Sequence, residues 1–254
     1  MTTDRRIWIL RFVTAFIVFG TWEAAEQAGL IDPLFFSSPS LIIRRFMGMV
    51  ADGSIWPHIV ASSTVIGLGF AAAVLIGIPV GLAMGQSSVV HGTLEPYIAA
   101  IYASPTVAFL PLMIIWLGIG IPSKVALVFL GCVIIIIVNT ETGVAQVDRR
   151  LVETARSFMA KERQILRIVV LPSALPFILA GMRLAMGRAL LMVVVAEIYA
   201  SNAGLGYLIF QAGGYYDTAQ VFVGVAILAT AGVLLNTALR SFERRMAPWR
   251  IEDR

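Results

Sequence analysis

Titratable side chains are scarce in this chain, so each one in an unusual place narrows the chemistry available. His58 and His91 are the only histidines and lie far apart. The one cysteine, Cys132, sits inside an apolar run, so no metal-ligand spacing arises and no intrachain disulfide can form. It reads as a small core residue. No nucleophile–base set is visible and no enzymatic site is expected. The two lysines, Lys124 and Lys161, follow serine and alanine. A phosphate-cradling loop needs Gly-Lys-Ser/Thr, so ATP hydrolysis by that route is excluded. No cofactor is implied.

Two groups of charges remain. The first is the stretch 146–172, Q-V-D-R-R-L-V-E-T-A-R-S-F-M-A-K-E-R-Q-I-L-R-I-V-V-L-P. Leu151, Ala155 and Phe158 recur at i, i+4 and i+7, which makes an apolar stripe on a short helix whose other face is charged. Pro172 ends that pattern. Such a helix could lie on a membrane or on a partner, with its basic residues favouring anionic lipid, or could be a solvated loop. The second group is Arg183, Arg188 and Glu197, inside an otherwise uncharged run. A charge at the centre of a bilayer costs about 2.5–3.5 kcal/mol on insertion scales, so each needs a partner or water. Arg183 and Glu197 fall near one helical face and Arg188 points elsewhere. Either they pair with Glu141, Glu197 or carbonyls to fix a bundle, or an arginine lines a pathway and meets an anionic substrate.

The elements that hold these charges follow from the rest of the chain. Of 254 residues, 59% are hydrophobic and 13% charged, about half the charge a soluble domain carries. No Asp, Glu, Lys or Arg occurs in 53–94, 96–123, 125–140, 198–216 or 218–239. Runs of that length fit spanning helices rather than buried strands. Spans are expected near 8–28, 59–85, 95–117, 124–145, 173–199 and 218–240. The first follows Arg5 and Arg6 and resembles an uncleaved signal segment. The second is longer than a bilayer core requires, carries repeated glycines for close helix approach, and contains Pro79. Prolines 105 and 111 are expected to kink the third span. Residues 30–58 read as a loop with an amphipathic helix around 41–50. Turns are expected at Asn202–Gly206 and at Gly213-Gly214.

Orientation follows from the basic residues. Arg5, Arg6 and Arg11, six residues of the loop (Arg149, Arg150, Arg156, Lys161, Arg163, Arg167) and Arg240, Arg244, Arg245, Arg250 and Arg254 fall on one side, and only Arg44, Arg45 and Lys124 on the other. Six spans with both termini cytoplasmic satisfy this distribution. The net charge of +4 and pI of 9.6 are thus topological, and nucleic-acid binding is not expected.

The 146–172 stretch resembles the coupling signature of ATP-binding-cassette importer permeases: Glu-Ala-Ala, three residues, Gly, nine residues, Ile-x-Leu-Pro. Glu153, Thr154 and Ala155 take the first triplet, Met159 the glycine, and Val169, Leu171 and Pro172 the last part. The most consequential departure is Met159, because the family's glycine sits at a turn with dihedrals that methionine tolerates poorly. The resemblance covers nearly the whole chain. The runs L-P-S-A-L-P-F-I-L-A-G-M-R-L-A-M-G, A-E-I-Y-A-S-N-A-G-L-G-Y-L-I, S-P-S at 38–40, L-G-I-G at 117–120 and Phe242-Glu243-Arg244-Arg245 are similar to permeases of the nitrate, sulfonate, taurine and bicarbonate type.

The resemblance implies an all-α inner-membrane protein of MetI-like, type I importer architecture, with residues 1–254 forming one permease domain. It implies pairing with a second copy, cytoplasmic ATPase subunits beneath, a periplasmic or extracellular solute-binding protein above, and membrane lipid around. In it Glu153, Ala155, Arg156, Phe158, Met159, Leu171 and Pro172 form the ATPase-coupling segment, with Glu153 as the polar contact and Ala155 and Phe158 as packing. The solute would be a small anion. The alternatives are a pyrimidine or riboflavin-type solute, or an ion-coupled secondary transporter with substrate bound at broken helices.

Overall fold

A computed structural model describes residues 2–246; Arg250 and Arg254 lie outside the described residues. The described chain is a run of helices: α1 (Thr2–Gln27), α2 (Pro33–Phe36), α3 (Pro39–Ala51), α4 (Ile55–Gln86), α5 (Ser88–Ala103), α6 (Leu110–Leu117), α7 (Ile121–Ala145), α8 (Arg149–Ser157), α9 (Glu162–Ile165), α10 (Leu171–Ala200), α11 (Leu205–Gly214) and α12 (Thr218–Met246). Five helical stretches are long and apolar enough to cross a bilayer, and a sixth is completed by a bent pair. The long helices alternate in direction, which places residues 146–172 at one end of the bundle and α3, α6 and α11 at the other.

The core is a three-helix stack in which α7 lies between α4 and α10. Its buried residues include Val65 and Ala73 of α4, Leu127, Val128, Cys132 and Ile136 of α7, and Ala189, Met192 and Val193 of α10. Cys132 is fully buried, as its apolar setting suggests. The glycines of α4 set the spacing. A Cβ on Gly69 would lie 2.7 Å from Val128 Cβ, and one on Gly81 would lie 2.6 Å from Thr140 Cβ and 2.7 Å from the Ile137 carbonyl oxygen. Small residues on this stripe therefore let two backbones meet, the packing that substitutes for a hydrophobic driving force in lipid.

The expected spans recur with three corrections. First, the third span is broken. Helix α5 starts at Ser88 and ends at Ala103, and after a 3-10 turn at Thr106–Phe109 the chain continues into α6, bent 95° from α5. Pro105 sits at the break and Pro111 opens α6, so these prolines terminate and restart helices where a kink was expected. Pro79, by contrast, is carried inside a single 32-residue helix, about 48 Å long at 1.5 Å per residue. Second, Gly213-Gly214 are the last turn of α11, a ten-residue helix folded back against α10 and α4, where a loop turn was expected. Third, Lys124, the first residue of the expected fourth span and counted with the charges of the outer side, is 5% exposed and packed within the bundle. The amphipathic helix expected near 41–50 is α3. It is tied to the start of α12 by Arg45, whose guanidinium lies 2.7 Å from Asp217 Oδ2.

Helix α1 differs from the rest. Every position from 6 to 20 is exposed and none of its spanning window is buried. It touches the bundle near its C-terminal end, where Trp22 packs against Phe222 and donates to the Ser37 carbonyl at 3.2 Å.

Candidate functional site

The loop joining α7 to α10 is an ordered device. Asp148 caps α8, accepting from the Arg150 N–H at 2.9 Å and so satisfying one of the donors that a helix start leaves unpaired. At the other end Met159 has φ of +57°. Its N–H bonds to the Arg156 carbonyl at 2.8 Å, and the Ala160 N–H reaches the Ala155 carbonyl at 3.1 Å. These two bonds are the paired closure of a left-handed helix stop, which normally uses glycine. Met159 therefore occupies a backbone position that favours glycine.

After this turn, Lys161 to Gln164 start α9, with the Gln164 side chain accepting the Lys161 N–H at 2.7 Å. A widened π turn follows at Leu166–Val170, closing with the Leu171 N–H on the Leu166 carbonyl. Pro172 comes next, in the first turn of α10. A proline donates no N–H and its ring needs room beside the preceding turn, and π turns of this kind mark functional positions in helices. The consequence is mechanical: Glu162 to Ala200 run as one 39-residue helical path, so α9 is the end of the spanning rod.

The two faces of α8 have different tasks. Val152 and Ala155 pack with Val147, Ala160, Leu166, Val169 and Leu171 on a small core of Val144, Ile165, Val170, Ala174 and Ile178, which Ile78 and Leu82 of α4 also join. Leu151, Phe158, Met159 and Ile168 are exposed, Phe158 by 82% and Met159 by 92%. The expected stripe of Leu151, Ala155 and Phe158 thus splits, with Ala155 turned inward and the other two outward. Glu153 is also exposed. Among the described residues no ion pair joins it to the neighbouring Arg149, Arg150 or Arg156; Arg156 lies 3.1 Å from Glu162 instead. Leu171 and Pro172 are half-buried beneath α8.

The three intramembrane charges separate. Arg183 pairs with Glu243 of α12, a partner outside the set expected for it. Glu197 is fully buried. The Ser62 hydroxyl lies 2.7 and 2.9 Å from its two oxygens and accepts the Leu205 N–H at 2.8 Å. The Gly206 N–H donates to Glu197 Oε2 at 2.9 Å. The carboxylate therefore holds the first turn of α11, where free N–H groups and the helix dipole favour an anion. His58 continues this network, its Nδ1 lying 3.1 Å from the Gly204 nitrogen, and Lys124 Nζ donates to Ser201 Oγ at 2.8 Å close by. A Cβ on Gly206 would fall 2.6 Å from the Val194 carbonyl oxygen, so glycine is what lets α11 close onto α10. Glu141 pairs with His91 across α5 and α7. Arg188 is exposed and has neither an ion pair nor a side-chain hydrogen bond among the described residues; it lines a cavity with Tyr102 and Thr106.

Sequence reading missed Ser62, His58, Lys124 and Glu243 as members of these pairs. The available signal was the rule that a charge within a span must have a partner. The partners sit on other helices, 62 with 197 and 183 with 243, and spacing along one helix could not reach them.

A broken third span, a three-helix core and a helical loop continuous with the fifth span define a membrane permease architecture of the ABC transporter kind. A solved structure of the methionine ABC transporter MetNI in an inward-facing conformation matches it with a TM-score of 0.65 at 19% identity, covering 76% of this chain and 98% of that one. The family model described as binding-protein-dependent transport system inner membrane component matches residues 73–248, and the chain belongs to that family. Among curated relatives, the taurine transport system permease protein of Escherichia coli (strain K12) is 37% identical over 241 residues, covering 93% of this chain and 88% of that protein. A putative aliphatic sulfonates transport permease protein of Bacillus subtilis (strain 168) is 32% identical over 243 residues, covering 96% and 88%. The chain is accordingly a permease component of an ABC transport system.

Proposed function

We propose that this permease works in an importer for a small organic anion of the sulfonate class, as a homodimer on two cytoplasmic ATPase subunits, receiving solute from a binding protein on the opposite side. Residues 1–254 form one permease domain in the inner membrane with both termini cytoplasmic. The even number of spans and the basic residues gathered at the 146–172 end support that orientation. The anionic solute is supported by the relatives named for taurine and aliphatic sulfonates.

The observation that carries the coupling role is the outward face of α8. Glu153 has no ion pair or side-chain hydrogen bond among the described residues, and Phe158 and Met159 stand almost fully exposed beside it. The opposite face, with Ala155, is packed onto the ends of the bundle. An apolar knob next to an unpaired carboxylate fits a groove on a basic or polar partner surface. Arg156, held by Glu162, frames this face. When the ATPase dimer closes, a helix seated in it moves as a body. The unbroken rod from Glu162 through Leu171 and Pro172 then carries that displacement into the fifth span, the rigid-body element of alternating access.

The test is co-purification from a membrane that contains the whole system, followed by uptake of labelled taurine in proteoliposomes. The wild-type chain is expected to bring an ATPase subunit with it in equal amount and to require ATP. Glu153→Arg is expected to insert normally, lose the ATPase subunit, and lose uptake at least tenfold. Uptake that persists without ATP and collapses with an ion gradient would overturn this reading in favour of a secondary transporter.

A further inference from the structure

Of the three charges on α10, Arg188 is the one with neither an ion pair nor a side-chain hydrogen bond among the described residues. It lies in the middle third of α10, on a face whose other exposed members are Leu184, Gly187, Leu191 and Tyr199. Those neighbours are apolar or aromatic, so this face would read as lipid-facing were it not for the guanidinium. A cation fixed at that depth needs water, an anion or a carboxylate. The carboxylates near it in the bundle are engaged: Glu197 with Ser62 and Gly206, Glu141 with His91, and Glu243 with Arg183. The other acid on a neighbouring helix is Glu95 of α5. It precedes Tyr102 by two turns, about 10 Å along the axis.

The surroundings of Arg188 are those of a receptor for a small oxyanion. It opens into a cavity of about 270 Å³ shared with Tyr102 at the end of α5 and Thr106 in the turn where the third span breaks. Gly131 of α7 leaves room beside its stem: a Cβ there would lie 2.7 Å from Met192 Cγ and 3.7 Å from Arg188 Cγ. Arg188, Tyr102 and Thr106 are the polar side chains lining this volume, whose other walls include Ile101, Leu130, Ile134 and Ile135. A guanidinium binds a three-oxygen head group through two parallel N–H bonds, a geometry that lysine cannot reproduce. The broken third span supplies the wall of the cavity, and breaks of this kind expose backbone only where it lines protein or water.

We propose that Arg188, with the hydroxyls of Tyr102 and Thr106, is an anion-binding station on the translocation path, taking the sulfonate or a like oxyanion head of the solute. This rests on the importer reading above and adds a site for its cargo within the membrane. The station is a point of selection against neutral solutes, independent of the binding protein.

Two measurements on the assembled transporter test it. In the first, Arg188→Gln and Arg188→Lys complexes are compared for assembly, ATP hydrolysis and taurine uptake with loaded binding protein in excess. Arg188→Gln is expected to assemble and hydrolyse ATP while uptake falls at least tenfold; Arg188→Lys is expected to recover part of the rate. Unchanged uptake by Arg188→Gln would overturn the proposal. So would loss of assembly that Glu95→Gln restores, since that marks an ion pair between copies. In the second, Arg188→Cys is made with Cys132→Ser and treated with a membrane-impermeant thiol reagent bearing a sulfonate. Position 188 is expected to react, and taurine in the lumen to slow the reaction. Failure to react would place Arg188 off the aqueous path and sink the proposal even if the glutamine variant does not assemble. Wild-type complexes that take up no sulfonate at all would instead defeat the solute assignment, which reaction at position 188 does not depend on.

Discussion

At the scale of single residues, Met159 carries backbone strain, as Ser37 and Tyr216 also do, and Glu197 anchors a buried polar network. Met159 holds a left-handed backbone that costs an L-residue about 1–2 kcal/mol, part of which a glycine would return as lost chain entropy. Met159→Gly is therefore expected to stabilise the α8 turn by about 0.5–1 kcal/mol. Hydrogen exchange of the amides of 155–160 should slow by about 2–5-fold. If the exposed methionine also fills a partner's groove, uptake falls although the loop is firmer, and the two readouts separate strain from docking. Glu197 is the opposite case. Removing its carboxylate strands the Gly206 N–H and the Ser62 hydroxyl, and leaves Lys124 without its nearby counter-charge, all in a buried setting. Glu197→Ala is expected to cost about 3 kcal/mol, read as a fall of several degrees in the unfolding temperature of the detergent-solubilised chain. Ser62→Ala should cost less, because the carboxylate still holds α11.

At the scale of elements, the contact of α4 with α7 decides which glycines matter. Gly67 and Gly81 lie on the same helix and look alike in sequence. A Cβ on Gly67 meets nothing within 4 Å, whereas one on Gly81 would press on Thr140 and on backbone. Gly81→Ala is expected to destabilise the bundle by about 1–3 kcal/mol through forced separation of the helices. Gly67→Ala should be neutral or slightly stabilising, since alanine is the better helix former. A thermal-unfolding comparison of the two variants checks this directly, and equal effects would mean that the stripe is incidental. The loop follows the same logic: α8 is held by Val152 and Ala155, so its exposed face is free to serve a partner without weakening its own attachment.

At the scale of the whole molecule, the most exposed apolar element is α1, which packs on its own bundle near one end only. An importer pathway built from one copy would also leave the Leu184–Tyr199 face of α10 open to lipid with Arg188 in it. In the homodimer proposed above, these are the faces open to a second copy. Affinity purification through a tag on one of two co-expressed versions is expected to recover the untagged version in equal amount, and recovery of tagged chain alone would refute the homodimer.

Much of this was legible in the linear chain. Charge-free runs longer than a strand dictated spanning helices, because only helices close their own hydrogen bonds in lipid. The distribution of arginines between connections suggested the sidedness proposed above, and the family resemblance of the Glu153-to-Pro172 segment suggested where the proposed partner would engage. These are local or additive properties, carried by each segment regardless of its neighbours. What the tertiary structure decided was pairing. It bent the third span at Pro105, buried Lys124, folded α11 onto α10, turned Ala155 inward, and chose Glu243 for Arg183 and Ser62 for Glu197 while leaving Arg188 open. A charge in a span announces that it needs a partner, but the partner lies on another helix. Its identity depends on how α4, α7, α10 and α12 pack, a three-dimensional arrangement that no spacing along one helix contains.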